Sequence, residues 1–173
     1  MEFPGTITVP PETLMEIIRS YCRSLDEHGF ESIVLVPTHG GNFGPVKTVA
    51  PDIAREIEAT VIPLADLDEH MQLLNEGLDE AGIEYEQDVI HAGAAETAMI
   101  LAIDEGFVRT ENIEPGSEGD ISPARLLSEG FKSITENGVL GDPTEATAEA
   151  GEVIIQNVVE TYVERIKIER ERV

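Results

Sequence analysis

Ser32-Ile33-Val34-Leu35-Val36 is the segment that most restricts the fold. It is a short, unbroken, β-branched apolar run. A strand that faced water on one side would alternate apolar and polar residues. An unbroken run fits a strand covered on both faces, as in a parallel sheet. The run is followed by Pro37-Thr38-His39-Gly40-Gly41-Asn42, then by helical spacing over residues 43–58, with Val46, Val49, Ile53 and Ile57 inward. Residues 60–64 read as another strand. Strand, loop, helix, strand is a βαβ unit, and its crossover is right-handed in nearly all cases. The fold class expected is α/β, a mostly parallel sheet flanked by helices.

The rest of the chain supplies those helices. Leu14, Ile17, Ile18, Tyr21, Cys22 and Leu25 form one apolar stripe of a helix over 11–28. Pro10 and Pro11 suit its first turn, and Gly29 suits its stop. Residues 65–81 repeat the pattern with Leu67, Met71, Leu74 and Leu78. Residues 88–93 read as a loop or strand end and 94–104 as a helix. Residues 112–119 are irregular, 121–127 a short helix and 130–134 a short strand. The last helix opens with Asp142 as cap, Pro143 at the first position and Glu145 at capping-box spacing. Ala150, Val153, Ile154, Val158 and Tyr162 line its inner face to about Ile166, and the charged tail 169–173 is expected to fray. A length of 173 residues with no repeat or low-complexity linker fits a single domain over 1–173.

Charge narrows the range of partners. Asp and Glu total 35 against 11 Lys and Arg, a formal net charge of −24. Such a surface repels nucleic acid and anionic membranes, so neither is an expected partner. An acid-rich, lysine-poor surface is also a device of halophilic proteins, because molar salt screens the repulsion among carboxylates; an ordinary acidic cytosolic protein is the plainer alternative. No run of 18 apolar residues is present, and the first residues lack a basic segment followed by an apolar one. A single cysteine, Cys22, excludes an internal disulfide. A cytoplasmic location is expected.

Two segments carry chemistry. His39-Gly40-Gly41-Asn42 follows the buried strand, where ligands bind in open α/β sheets. The glycines let the backbone pass close to a ligand or metal, and Asn42 is placed to cap the next helix. A plain glycine-rich turn is the competing reading. In His91-Ala92-Gly93-Ala94-Ala95-Glu96-Thr97, a histidine and a carboxylate flank a glycine turn at a helix start. The pair suits metal ligation or proton transfer; simple matching of Glu96 to the helix dipole competes. Asp26 with His28, and Asp68 with His70, are two apart on expected helices and do not face each other, so all four read as solvated. There is no phosphate loop, no Gly-x-Ser-x-Gly elbow and no His-Glu-x-x-His.

Five segments in register resemble the creatininase (creatinine amidohydrolase) family. They are Phe3-Pro4-Gly5-Thr6-Ile7, Ser24-Leu25 with His28-Gly29-Phe30, Thr38-His39-Gly40-Gly41-Asn42, His91-Ala92-Gly93 with Glu96-Thr97, and Gly141-Asp142-Pro143 with Ala146-Thr147 and Glu149-Ala150-Gly151. The resemblance implies hydrolysis of a C–N bond in a small cyclic amide or formamide, with one or two zinc, manganese or iron ions. It implies a homo-oligomer, often a hexamer. By resemblance His39 is a metal ligand, His91 and Glu96 are catalytic, and Gly40, Gly41, Asn42 and Gly93 shape the substrate pocket. In such a site a divalent ion polarises the carbonyl and lowers the pKa of bound water, and a histidine or carboxylate moves the proton.

Two departures modify that expectation. The family motif usually has Glu after His-Ala-Gly, where this chain has Ala94. Family members also carry, ahead of the Phe-Pro-Gly-Thr segment, a strand and loop with Glu-x-His-Gly and a later aspartate that supply most metal ligands. The chain therefore reads as the C-terminal two-thirds of such a domain, through a misassigned start, a truncated gene or a separate chain supplying the rest. Metal binding by this chain alone is expected to be weak or absent. The alternative function is a non-catalytic subunit that keeps the fold and binds a partner chain. The hydrolase reading requires the rings of His39 and His91 to share one crevice.

Overall fold

The computed structural model describes residues 3–85, 91–117, 119 and 121–172. The chain groups into two compact units. One comprises 1–6 with 68–160, the other 7–67 with 161–173.

The second unit holds the βαβ unit. Helix α1 (Pro11–Glu27), strand β1 (Ser32–Leu35), helix α2 (Gly40–Glu56) and strand β2 (Thr60–Pro63) follow in order. β1 and β2 pair in parallel, Ser32 opposite Thr60 and Leu35 opposite Pro63. Ile33 and Ile62 are buried, and Cys22, Ile33, Val49, Ile53 and Ala59 form the core. Burial pushes the Cys22 thiol pKa up, as expected for an unreactive packing residue. The stripe of α1 is narrower than its sequence suggests. Met15, Ile18 and Leu25 pack on the core, whereas Tyr21 is 70 % exposed.

Two further features of this unit differ from expectation. Asp26 is not simply solvated: its Oδ1 accepts the backbone N–H groups of Glu58 (3.1 Å) and Ala59 (2.8 Å). It thus ties the end of α1 to the segment entering β2. Arg19 and Arg23 both reach Glu56, at 3.4 and 2.8 Å, joining α1 to α2.

The first unit is built on α3 (Leu67–Glu80), α4 (Ala94–Ile103), α5 (Pro123–Glu129) and the part of α6 (Ala148–Glu171) up to Glu160. Leu74, Leu78, Ala94, Ala95, Ala98, Ala150 and Ile154 form its core. Small residues bring these helices together. A Cβ on Gly151 would lie 2.0 Å from the Ala98 carbonyl oxygen, and one on Gly77 would lie 2.6 Å from Ile154 Cγ1.

The expected strand over 130–134 is instead a single 3₁₀ turn, Phe131–Ser133. Gly130 at φ 80° starts it, and Ile134 N–H closes on the Phe131 carbonyl at 2.9 Å, so the segment never extends. Helix α6 begins at Ala148, not near Pro143. Asp142 Oδ1 accepts the Thr144 N–H within a separate turn, while Thr147 Oγ1 accepts the Ala150 N–H at 3.1 Å and caps the helix. The charged tail stays helical to Glu171. Among the described residues no helix is long and apolar enough to cross a membrane.

Candidate active site

The residues singled out by sequence fall in both units. His39, Gly40, Gly41 and Asn42 lie in the second, and His91, Gly93 and Glu96 in the first.

His39 follows the buried Pro37, is exposed, and is the extended residue (φ −129°) that starts α2. Gly40, Gly41 and Asn42 are not a loop: they form the first helical turn. Asn42 is therefore not the cap. Its backbone N–H donates to the His39 carbonyl at 2.8 Å, and His39 holds the capping position without a side-chain bond. Gly41 has a local reason to be glycine. A Cβ there would sit 3.1 Å from His39 Nε2, so its absence lets the ring lie over the turn.

His91 is half-buried and is fixed at three points. Its carbonyl accepts the Leu140 N–H at 2.9 Å in an isolated antiparallel bridge. Its Nδ1 lies 2.8 Å from the Gly138 carbonyl oxygen, and its ring is 4.5 Å from that of Phe131, tilted by 55°. A carbonyl only accepts, so this bond places the ring proton on Nδ1. In the neutral ring the Nε2 lone pair is then left for a proton or a ligand.

The partner strand segment is held from its other side. Ser117 N–H donates to Val139 O (3.1 Å), and Gly141 N–H donates to Ser117 O (2.9 Å). Ser117 Oγ donates to the Ile134 carbonyl at 2.5 Å. A Cβ on Gly116 would fall 2.0 Å from Val139 O, which fixes glycine at that crossing.

The chain then turns sharply. Ala92 has φ 52°, and Gly93 starts α4 in an extended conformation. Gly93 packs closely, since a Cβ there would meet Leu140 O at 3.6 Å. Glu96, in the first turn of α4, accepts the Ala92 backbone N–H. The bond reaches the residue ahead of the Gly93 cap and holds the left-handed Ala92 in place.

His70 is the residue that sequence reasoning misplaced. It is 9 % exposed rather than solvated, and burial lowers its pKa against the opposing influence of Glu96. The signal was present in the sequence: His70, Leu74, Gly77 and Leu78 share one helical face, all of them buried.

Beside Ala92 and Glu96 opens a groove of about 500 Å³ in the first unit. Ile100, Phe107 and Val139 give it apolar walls, and Arg109 gives it a guanidinium. His91 is not among its lining residues. Sequence reading did not find this groove, because residues 105–114 carry no periodic pattern.

The donor set bears on the metal. Among the described residues no three His, Cys, Asp or Glu side chains come together to hold an ion. Glu96 is committed to a backbone N–H, and His91 offers one nitrogen. Catalytic zinc sites have three protein ligands. The described residues do not by themselves fit a catalytic divalent ion.

A parallel βαβ unit with a histidine at a glycine-rich helix entry defines an α/β protein. The creatininase family profile, described as creatinine amidohydrolase, matches residues 1–166, and the chain belongs to that family. It is 31 % identical over 169 residues to the mycofactocin precursor peptide peptidase of Mycolicibacterium smegmatis, covering 95 % of this chain and 60 % of that protein. It is 32 % identical over 168 residues to the protein of that name from Mycobacterium tuberculosis, covering 95 % and 59 %. The chain thus spans about 60 % of the length of these relatives. Solved creatininases share the fold. One complexed with creatine superposes with a TM-score of 0.78 at 21 % identity, covering 97 % of this chain and 68 % of that one. A manganese form gives 0.76 at 20 %, with 97 % and 68 % covered. A zinc–zinc form gives 0.75 at 24 %, with 97 % and 67 % covered.

Proposed function

We propose that the chain serves the hydrolysis of a C–N amide bond, with His91 as the residue that moves the proton. The observation that carries this reading is the His91 ring, clamped by Gly138 and Phe131, with Nε2 making no hydrogen bond among the described residues. Nε2 takes a proton from a water whose oxygen attacks the amide carbonyl. The same proton then passes to the leaving nitrogen as the C–N bond breaks. His39 is proposed as the residue reserved for a metal, and Gly40, Gly41, Asn42 and Gly93 as the backbone that shapes the pocket. The names of the curated relatives support a peptide amide over a small cyclic one.

A second reading is a non-catalytic subunit that keeps the fold and binds a partner chain. It is favoured by the absence of a three-ligand group among the described residues. One assay separates the two. The chain is incubated in high salt with peptide amides and with creatinine, each with and without added zinc or manganese, and products are read by mass spectrometry. The first reading expects amide cleavage that falls about 10²–10⁴-fold in His91→Gln. No cleavage by folded chain under any of these conditions supports the second.

A further inference from the structure

The groove beside α4 contains charges of both signs, and their partners are unequal. Glu96 accepts the Ala92 N–H, and Glu114 accepts Asn137 Nδ2 at 3.4 Å. Both carboxylates are therefore engaged. Arg109 is exposed, and among the described residues its side chain makes no hydrogen bond or ion pair. That is notable in a chain with 35 carboxylate residues, most of whose arginines are paired. Its backbone is nonetheless fixed, since the Arg109 carbonyl accepts the Asn112 N–H at 2.9 Å. Next to it, Phe107 is 74 % exposed and Ile100 is 41 % exposed, both on the wall of the same groove.

We propose that this groove binds a carboxylate attached to an apolar group, the carboxylate on the Arg109 guanidinium and the apolar group against Phe107 and Ile100. The planar guanidinium presents paired donors that match a carboxylate. The exposed ring and aliphatic chain gain from covering by an apolar body. The net charge of −24 repels anions in general, so the site selects ligands that satisfy both halves at short range. If the amide-hydrolase reading holds, the ligand is part of a peptide, and the carboxylate belongs to its C-terminus or to an acidic side chain beside an apolar residue.

The test uses ligands without an amide bond, so that it stands apart from hydrolysis. Calorimetric titration of the full chain with 3-phenylpropanoate and with 3-phenylpropan-1-ol is expected to show the acid binding at least tenfold tighter than the alcohol. Arg109→Gln, with unchanged circular dichroism, is expected to erase that difference, and Phe107→Ala to weaken the acid. N-acetyl-Ala-Phe with a free C-terminus and amidated N-acetyl-Phe-Asp then assign the source, since only the arm with the right carboxylate binds in an Arg109-dependent way. Equal binding of acid and alcohol, no binding of either, or full binding by Arg109→Gln overturns the proposal. A failure of peptide cleavage alongside Arg109-dependent binding of the acid removes only the hydrolase reading.

Discussion

Glu96 accepts the backbone N–H of Ala92 from the first turn of α4, and Ala92 is a non-glycine residue at φ 52°. A left-handed alanine costs about 1–2 kcal/mol. The carboxylate bond helps to offset that cost, so the two residues hold one tight turn between His91 and the helix. Replacing Glu96 by Ala is expected to destabilise the fold by about 1.5–3 kcal/mol, because it leaves a charge-assisted bond unmade. Glu96→Gln retains an acceptor and is expected to lose less. Ala92→Gly is expected to be neutral or stabilising by up to about 1 kcal/mol, since glycine adopts this φ freely but loses more chain entropy. Urea unfolding midpoints of the three variants check this order.

The crossing of α4 and α6 depends on Gly151. Its missing Cβ would fall 2.0 Å from a backbone oxygen that has no rotamer to change. Gly151→Ala is expected to cost about 3 kcal/mol, at the upper end for overpacking. At about 2–4 °C per kcal/mol, a clear fall in Tm follows. An unchanged Tm would show that the helices separate at little cost.

His70 is expected to give the fold a pH dependence whose sign follows from its burial. Burial lowers its pKa in the folded state below the ordinary 6.5, more than Glu96 raises it. The unfolded chain therefore binds the proton more readily. Stability from this group is complete above about pH 6.5 and is lost as pH falls through that value towards the folded pKa. The slope of unfolding free energy between pH 7 and 5 is expected to flatten in His70→Gln, apart from contributions of other groups common to both proteins.

Two candidate caps compete for the start of α6. Thr147 accepts the Ala150 N–H, whereas Asp142 serves only the preceding turn. Thr147→Ala is expected to cost about 1 kcal/mol. Asp142→Ala is expected to leave the helix itself intact, read as unchanged hydrogen-exchange protection at Gly151 and Glu152.

Salt is expected to act strongly. Raising ionic strength from about 0.1 to 1 M shortens the Debye length from about 10 to 3 Å and screens the repulsion within a chain of net charge −24. Tm is expected to rise over that range. A flat response would remove the high-salt reading of the composition.

Sequence alone makes legible the elements whose period is strong. The β-branched run at 33–36 and the stripes of α2 and α6 each carry enough apolar pattern to specify the element type, and the βαβ order fixes the parallel pairing. It also determined the family, because five short motifs kept their order. The remaining outcomes rest on hydrogen bonds and neighbours that no apolar period encodes, local at one segment and distant in sequence at the others. Gly130 and its following turn overrode a strand-like composition at 130–134 through local hydrogen bonds. Burial of His70 depends on what packs over its face, and the tautomer of His91 depends on a carbonyl 47 residues away. The groove at Arg109 arises from segments with no period at all, where the positions of neighbours, and not the residues' own preferences, set the shape.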